Sequence, residues 1–146
     1  EEALNPDFIE YSQQTLKNAR TLCTTLKSKG FEVVSGDTHC HMILIDLTNK
    51  KISGKVAEEG LDKAGITCNK NAIPFDTRSP FVTSGIRVGT AAGTTRGFKE
   101  NEFEIIGNLI SEVVDALGQE DSFVIKKVEK QVREKVVSLC KRFPIY

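Results

Sequence analysis

The run from Ser79 to Phe98 constrains this chain more than any other stretch. It holds four glycines, two arginines and, after Ser79, five Ser/Thr hydroxyls, set between two helix-rich halves. Glycines let the backbone approach closely, and hydroxyls satisfy stray backbone groups. A segment so composed can bring a guanidinium fork up to a small anion. Arg87 is the candidate for that role. It follows Gly85-Ile86 in a short apolar segment, so a strand there would hold it firmly.

A chain of 146 residues fits one domain and buries roughly 70% of the surface of its unfolded form. Its 20 basic and 20 acidic residues cancel, which gives no global reason to expect nucleic acid or an anionic membrane surface as partner. No apolar run approaches the roughly 20 residues that cross a bilayer, and no basic-then-apolar leader is present. The chain opens at Glu1-Glu2 without Met, as a trimmed piece would. Cys23, Cys40, Cys68 and Cys140 lie far apart with no short-loop spacing, so they read as free thiols in a reducing compartment and the cytoplasm is expected.

Asn5-Pro6 predicts a helix start, with a capping side chain followed by proline at the first helical position. Leu16, Ala19, Leu22, Cys23 and Leu26 recur at helical spacing until Gly30, and a long terminal helix of this kind suggests a connector that packs on something else. Phe31–Val34 and Cys40–Leu47 read as strands joined by Ser35-Gly-Asp-Thr38, the second apolar enough for both faces to be covered. Ser53 caps a helix closed by Gly65, Ile66–Cys68 is a short strand, and 69–80 is a loop with Asp76 and Arg78 exposed. Ile86–Val88 is one more strand. Phe103 to Leu117 and a segment capped by Asp121 are helices. The inward positions of the last are Val124, Val128, Val132, Val136 and Leu139, and its outer charges form a solvated mixed face. This order predicts an α+β fold of two layers, with helices packed on a small, mostly antiparallel sheet.

Four motifs in register give the chain a family likeness. Asn69-Lys-Asn71, Ser79-Pro-Phe81, Ser84-Gly-Ile-Arg-Val-Gly-Thr90 and Thr94-Thr-Arg-Gly-Phe98, with the ending Cys140-Lys-Arg-Phe-Pro-Ile-Tyr146, resemble serine hydroxymethyltransferase. The resemblance runs from Glu1 to Tyr146, as a single domain whose residues 1–30 form an interdomain-type helix. It covers only the carboxy-terminal small domain of that fold-type-I pyridoxal-phosphate enzyme.

The resemblance implies interconversion of serine and glycine, with the one-carbon unit passed to tetrahydrofolate. By position, Arg87 is similar to the arginine that clamps the amino-acid carboxylate beside the cofactor. Ser79, Pro80 and Phe81 resemble the folate-contacting segment, Asn71 its amide contact to the pteridine, and Arg96 a supporting arginine. The parent enzyme would use pyridoxal 5'-phosphate and tetrahydrofolate, pair this chain with a large cofactor domain and form a homo-oligomer. The family's cofactor lysine, phosphate loop and ring partners belong to that large domain. No catalytic residue is therefore assigned here, and the chain alone is expected neither to hold the cofactor nor to turn over serine.

Taken without their neighbours, these residues have simpler readings. Arg87 would be a packed or surface-paired arginine, Asn71 a turn residue and Ser79-Pro80 a turn signal. His39 and His41 share a face if they begin a strand, but a third metal ligand is not placed by the sequence, so no metal is expected. The family's usual Gly-Gly-Thr-Asp-Asn-His turn is here Gly36-Asp-Thr-His-Cys-His41, and Ala91 stands where the family carries proline. Two other classes compete with an enzyme fragment. One is a natural short binding module of the same fold; the other is an inactive remnant.

Overall fold

The computed structural model describes residues 2–145. Glu1 and Tyr146, the two ends of the family likeness, lie outside them. Five helices pack against a four-stranded antiparallel sheet, the two-layer α+β arrangement that the element order predicts.

Helix α1 (Pro6–Ser28) starts as expected, with the Asn5 side chain accepting the Asp7 amide at 3.1 Å. It buries Ala19, Leu22, Cys23 and Leu26, chiefly against α4 (Glu100–Leu117). Phe8 and Ile9, near its start, remain exposed. Strands β1 (Glu32–Val33) and β2 (Met42–Asp46) are shorter than the apolar runs suggested. Helix α2 (Gly54–Lys63) is capped by the Ser53 hydroxyl, which accepts the Val56 amide. Strands β3 (Asn69–Asn71) and β4 (Gly85–Gly89) complete the sheet in the order β1-β2-β4-β3. A short helix α3 (Ala91–Thr95) follows β4, then α4, then α5 (Ser122–Arg142), whose Asp121 cap accepts the Phe123 and Val124 amides.

Three expectations are corrected. The strand expected at Ile66–Cys68 begins instead at Asn69. The Ile66 amide closes α2 by donating to the Leu61 carbonyl at 2.8 Å, so pairing with β4 cannot start until the chain has left the helix end. Helix α3 has no counterpart in the reading of the sequence. Its few residues carry no apolar period, and its hold on α1 is long-range: the Tyr11 hydroxyl lies 3.2 Å from the Ala91 carbonyl and 3.0 Å from the Thr95 hydroxyl. Lastly, β2 is covered on one face only. Ile43 and Ile45 are buried under the helices, whereas Met42 is exposed and Leu44 half-buried.

Helix α5 sits shallowly. Of its five predicted inward positions only Val132 and Leu139 are buried, and the others are half-buried. Glu129, assigned by its sequence position to the outer charged face, is half-buried too, while Lys135 pairs across to Glu112 of α4 at 2.7 Å.

Candidate functional site

The register of β2, β3 and β4 fixes which side chains share the face turned away from the helices. Leu44, Arg87 and Asn69 stand directly opposite one another in one row. Met42 and Gly89 pair on one side of that row; Asp46, Gly85 and Asn71 form the row on the other. Arg87 thus lies on β4, one of the two inner strands of the sheet, hydrogen-bonded through neighbours on both sides, with its side chain exposed.

The backbone that presents it is held at both ends. Before β4, buried Thr83 adopts φ +58°, a left-handed conformation that a β-branched residue rarely accepts. It persists because its surroundings over-determine it. The Gly54 amide donates to the Thr83 carbonyl at 3.0 Å, the Lys55 amide to Val82, and the Thr83 hydroxyl to the Gly85 carbonyl at 3.1 Å. A Cβ on Gly54 would stand 2.1 Å from that hydroxyl, and one on Gly85 would stand 2.6 Å from the Ile45 carbonyl oxygen. Both positions therefore need glycine for close approach. Past β4, the Thr90 amide donates to the His41 carbonyl at 2.8 Å and the Thr90 hydroxyl to the Thr15 carbonyl at 3.0 Å.

Against this rigid backbone, the guanidinium of Arg87 makes no hydrogen bond or ion pair among the described residues. Four of the other five arginines are occupied. Arg78 donates to the Ile52 carbonyl, Arg133 to Lys63, and Arg142 lies 3.7 Å from Glu102. Arg96 donates to the carbonyls of Phe143 and Cys140 at 2.8 and 3.1 Å. Arg20 also lacks a partner among the described residues, but it lies on the solvent-exposed surface of α1. Arg87 alone combines unspent donors with a sheet to fix them. That arrangement suits two parallel charge-assisted bonds to a carboxylate.

The other predicted positions separate into two groups. Asn71 ends β3 in the row next to Arg87, with its side-chain nitrogen on the Ala72 carbonyl at 2.8 Å, the contact of a turn residue. Ser79, Pro80 and Phe81 share one exposed turn, in which the Ser79 carbonyl accepts the Val82 and Thr83 amides, and Phe81 is 82% exposed. Arg96 is not part of the open face's hydrogen bonding. Its donors close the end of α5. His39 and His41 fall in a bend before β2 rather than in the strand, and no cluster of three potential metal ligands occurs among the described residues.

Asp76 is the residue whose role the sequence reading missed. It is half-buried, not a freely exposed loop acid. Its carboxylate accepts the Ser84 hydroxyl at 2.7 Å, the Ser84 amide at 2.8 Å, and the Arg78 and Ile73 amides at 3.0 and 3.2 Å. The Ser84 hydroxyl, followed by the Arg78 amide, holds its carboxyl well below the usual carboxylate range. One carboxylate thereby ties the 73–78 loop to the residue that enters β4. The signal was present: an aspartate flanked by Pro74 and Ser79-Pro80 is a turn-organising residue.

Comparison with known proteins gives the family. The model of the family described as serine hydroxymethyltransferase matches residues 1–110. A serine hydroxymethyltransferase of Novosphingobium aromaticivorans is 56% identical over 145 residues, covering 99% of this chain and 33% of the relative. One of Rhizobium rhizogenes is 56% identical over 146 residues, and one of Bartonella henselae 52% over 150, each covered to 34%. The chain spans about a third of the length of the curated relatives it matches. No helix among the described residues is long and apolar enough to cross a membrane. With its motifs in register and most of its length matched, the chain belongs to the serine hydroxymethyltransferase family.

Proposed function

We propose that this chain is the carboxy-terminal small domain of a pyridoxal-phosphate-dependent serine hydroxymethyltransferase, and that Arg87 is its clamp for the carboxylate of serine or glycine. One observation carries the reading. Arg87 is immobilised at the backbone by strands on both sides, and its donors are unspent among the described residues. Its planar fork would fix both oxygens of the carboxylate, and so orient the bond to be broken, where a lysine would supply charge without direction. The cofactor, when bound, supplies the electron sink for the chemistry.

The described residues fit the substrate's carboxylate better than they fit the cofactor itself. An imine-forming lysine is activated by desolvation or by cationic neighbours. Lys50, Lys70 and Lys135 each have a carboxylate, not a cation, as ionic partner. Lys50 bonds Asp115 at 2.8 Å and the Lys29 carbonyl, with its ammonium 4.3 Å from the centre of the Phe31 ring. Lys70, which lies in β3 rather than in a loop, bonds Glu58. By the family likeness, the cofactor's covalent anchor is assigned to a large domain outside this chain, and no step is derived through it.

On the same reading, Ser79, Pro80, Phe81 and Asn71 form part of a folate wall, and Arg96 supports the site by fastening the end of α5. The open face of the sheet meets the large domain, in a homo-oligomeric cytoplasmic enzyme.

The test uses the full-length enzyme carrying Arg87→Lys and Arg87→Ala. Both should lose affinity for serine and glycine while retaining the cofactor's absorbance, and Lys should recover little of what Ala loses. Wild-type affinity for glycine in Arg87→Ala would remove Arg87 from the site.

A further inference from the structure

On the helix side of β4 the core is not filled. A cavity of about 180 Å³ lies beneath the strand, with Val88 from the sheet and Phe98, Phe103, Ile110 and Leu139 from the helical layer among its walls. All five of those residues are buried. Protein interiors rarely leave room for more than a water molecule, and a space walled mostly by hydrocarbon offers water few partners, so it favours apolar guests. This one exceeds the roughly 150 Å³ of an engineered apolar cavity that holds benzene.

The cavity also has a way in. Exposed Gly65, Thr67 and Gly89 are among its lining residues and open it to the surface. The cause lies in the sheet. Strand β3 pairs with β4 only from Asn69, opposite Arg87, so residues 66–68 leave the last two residues of β4 without a neighbour on that side. Two of the rim residues are glycines and carry no side chain to close the gap. The wall on the α5 side is adjustable, since Val136 and Cys140 are half-buried on a shallow helix.

We propose that this cavity is a binding site for a small uncharged aromatic molecule, of the size of benzene to indole, entering between the end of α2 and the end of β4. Size and polarity set the class. The walls named above offer aromatic edges and aliphatic carbon, while no charged side chain lines the cavity. A carboxylate on the guest would be buried without a partner and should be rejected. The site lies on the opposite side of the sheet from Arg87 and is independent of the role proposed for that residue.

Indole is the probe, titrated by calorimetry into the full-length protein, with indole-3-carboxylate as control. One-to-one saturable binding tighter than about 1 mM is expected for indole and none for the carboxylate. Bound indole should slow alkylation of Cys140, followed by peptide mass spectrometry, at least threefold while leaving exposed Cys40 unchanged. Val136→Phe should weaken indole at least tenfold by filling the space. Cys140→Leu, a smaller intrusion, should weaken it severalfold and stands in if the first variant folds poorly. Absence of saturable binding would overturn the proposal, as would binding that neither a folded Val136→Phe nor Cys140→Leu protein weakens. Equal binding of the carboxylate, or alkylation of Cys140 that indole leaves unchanged, would overturn it too.

Discussion

The two faces of one short strand obey different rules. On β4, Ile86 and Val88 point into the helical layer and are nearly inaccessible, while Arg87 between them is exposed. The buried face is specified by this chain alone: Ile43 opposite Val88 and Ile45 opposite Ile86 build a hydrocarbon layer that α1, α2 and α4 cover. The open face carries Met42, Leu44, Arg87 and Asn69, too apolar for an ordinary solvent face and too polar for a core. Alternation along a strand normally separates core from water. Here it separates core from a mixed, largely open surface, the face that the proposed function gives to the large domain.

Adjacent residues give the largest test of that contrast. Ile86→Ala should destabilise the protein by about 2–5 kcal/mol in urea unfolding, through lost burial and the cavity left behind. Arg87→Ala should change stability by less than about 0.5 kcal/mol, because it breaks no contact among the described residues. In the full-length enzyme the order reverses. Arg87→Ala should lower kcat/KM for serine by about a hundredfold to ten-thousandfold, as expected for losing two bonds to a carboxylate in the transition state. If Arg87→Ala instead destabilises the protein by about 2 kcal/mol or more while leaving kcat/KM intact, the two faces do not divide the labour in this way.

Gly85→Ala strikes where the faces meet. A methyl group there would press on the Ile45 carbonyl at 2.6 Å, the Ile73 side chain at 2.7 Å and the Asn71 carbonyl at 3.0 Å. Two of the three are backbone, so the strands must part. A loss of about 1–3 kcal/mol is expected, with a larger KM for serine, since Arg87 moves with its strand. Wild-type stability and KM together would show that the spacing of β2, β3 and β4 is looser than the structure has it.

Much of this was legible from residue order. Caps at Asn5, Ser53 and Asp121 are local chemistry, and each starts a helix where the sequence places it. The constrained backbone around Arg87 could be anticipated from the glycines and hydroxyls on either side of it. What failed was non-local. The start of β3 depends on where α2 releases the chain, and α3 exists through bonds to Tyr11, 80 residues away. The expectation that β2 is covered on both faces rested on its apolar run. That run says how much hydrocarbon is present, but not whether its cover is carried by the same chain.

The loop acid sharpens the comparison through pH. Asp76 holds the entry to β4 with four accepted hydrogen bonds, and its carboxyl titrates below the ordinary carboxylate range. A depressed folded-state value means that its contribution is fully present above the unfolded value, about 3.9. It is lost as pH falls through the folded one. Below about pH 4, wild-type protein should therefore lose stability more steeply than Asp76→Asn, as read from urea midpoints at descending pH. The variant should be the weaker of the two at pH 7, and parallel curves would show that the loop is held by something else.

The smallest expected effect belongs to Phe81, and it is informative because it is small in one measurement only. The ring is 82% exposed, so Phe81→Ala removes little burial and should leave stability within about 0.5 kcal/mol of wild type. If the turn from Ser79 to Phe81 forms part of a folate wall, the same variant should raise the KM for tetrahydrofolate severalfold. It should leave the KM for serine unchanged, since the exposed ring takes no part in the backbone bonds that tie this turn to the entry of β4. A shift in both constants would mean that the turn steadies the open face as a whole. A shift in neither would remove Phe81 from the folate wall and leave Arg87 as the residue on which the functional reading of this chain depends.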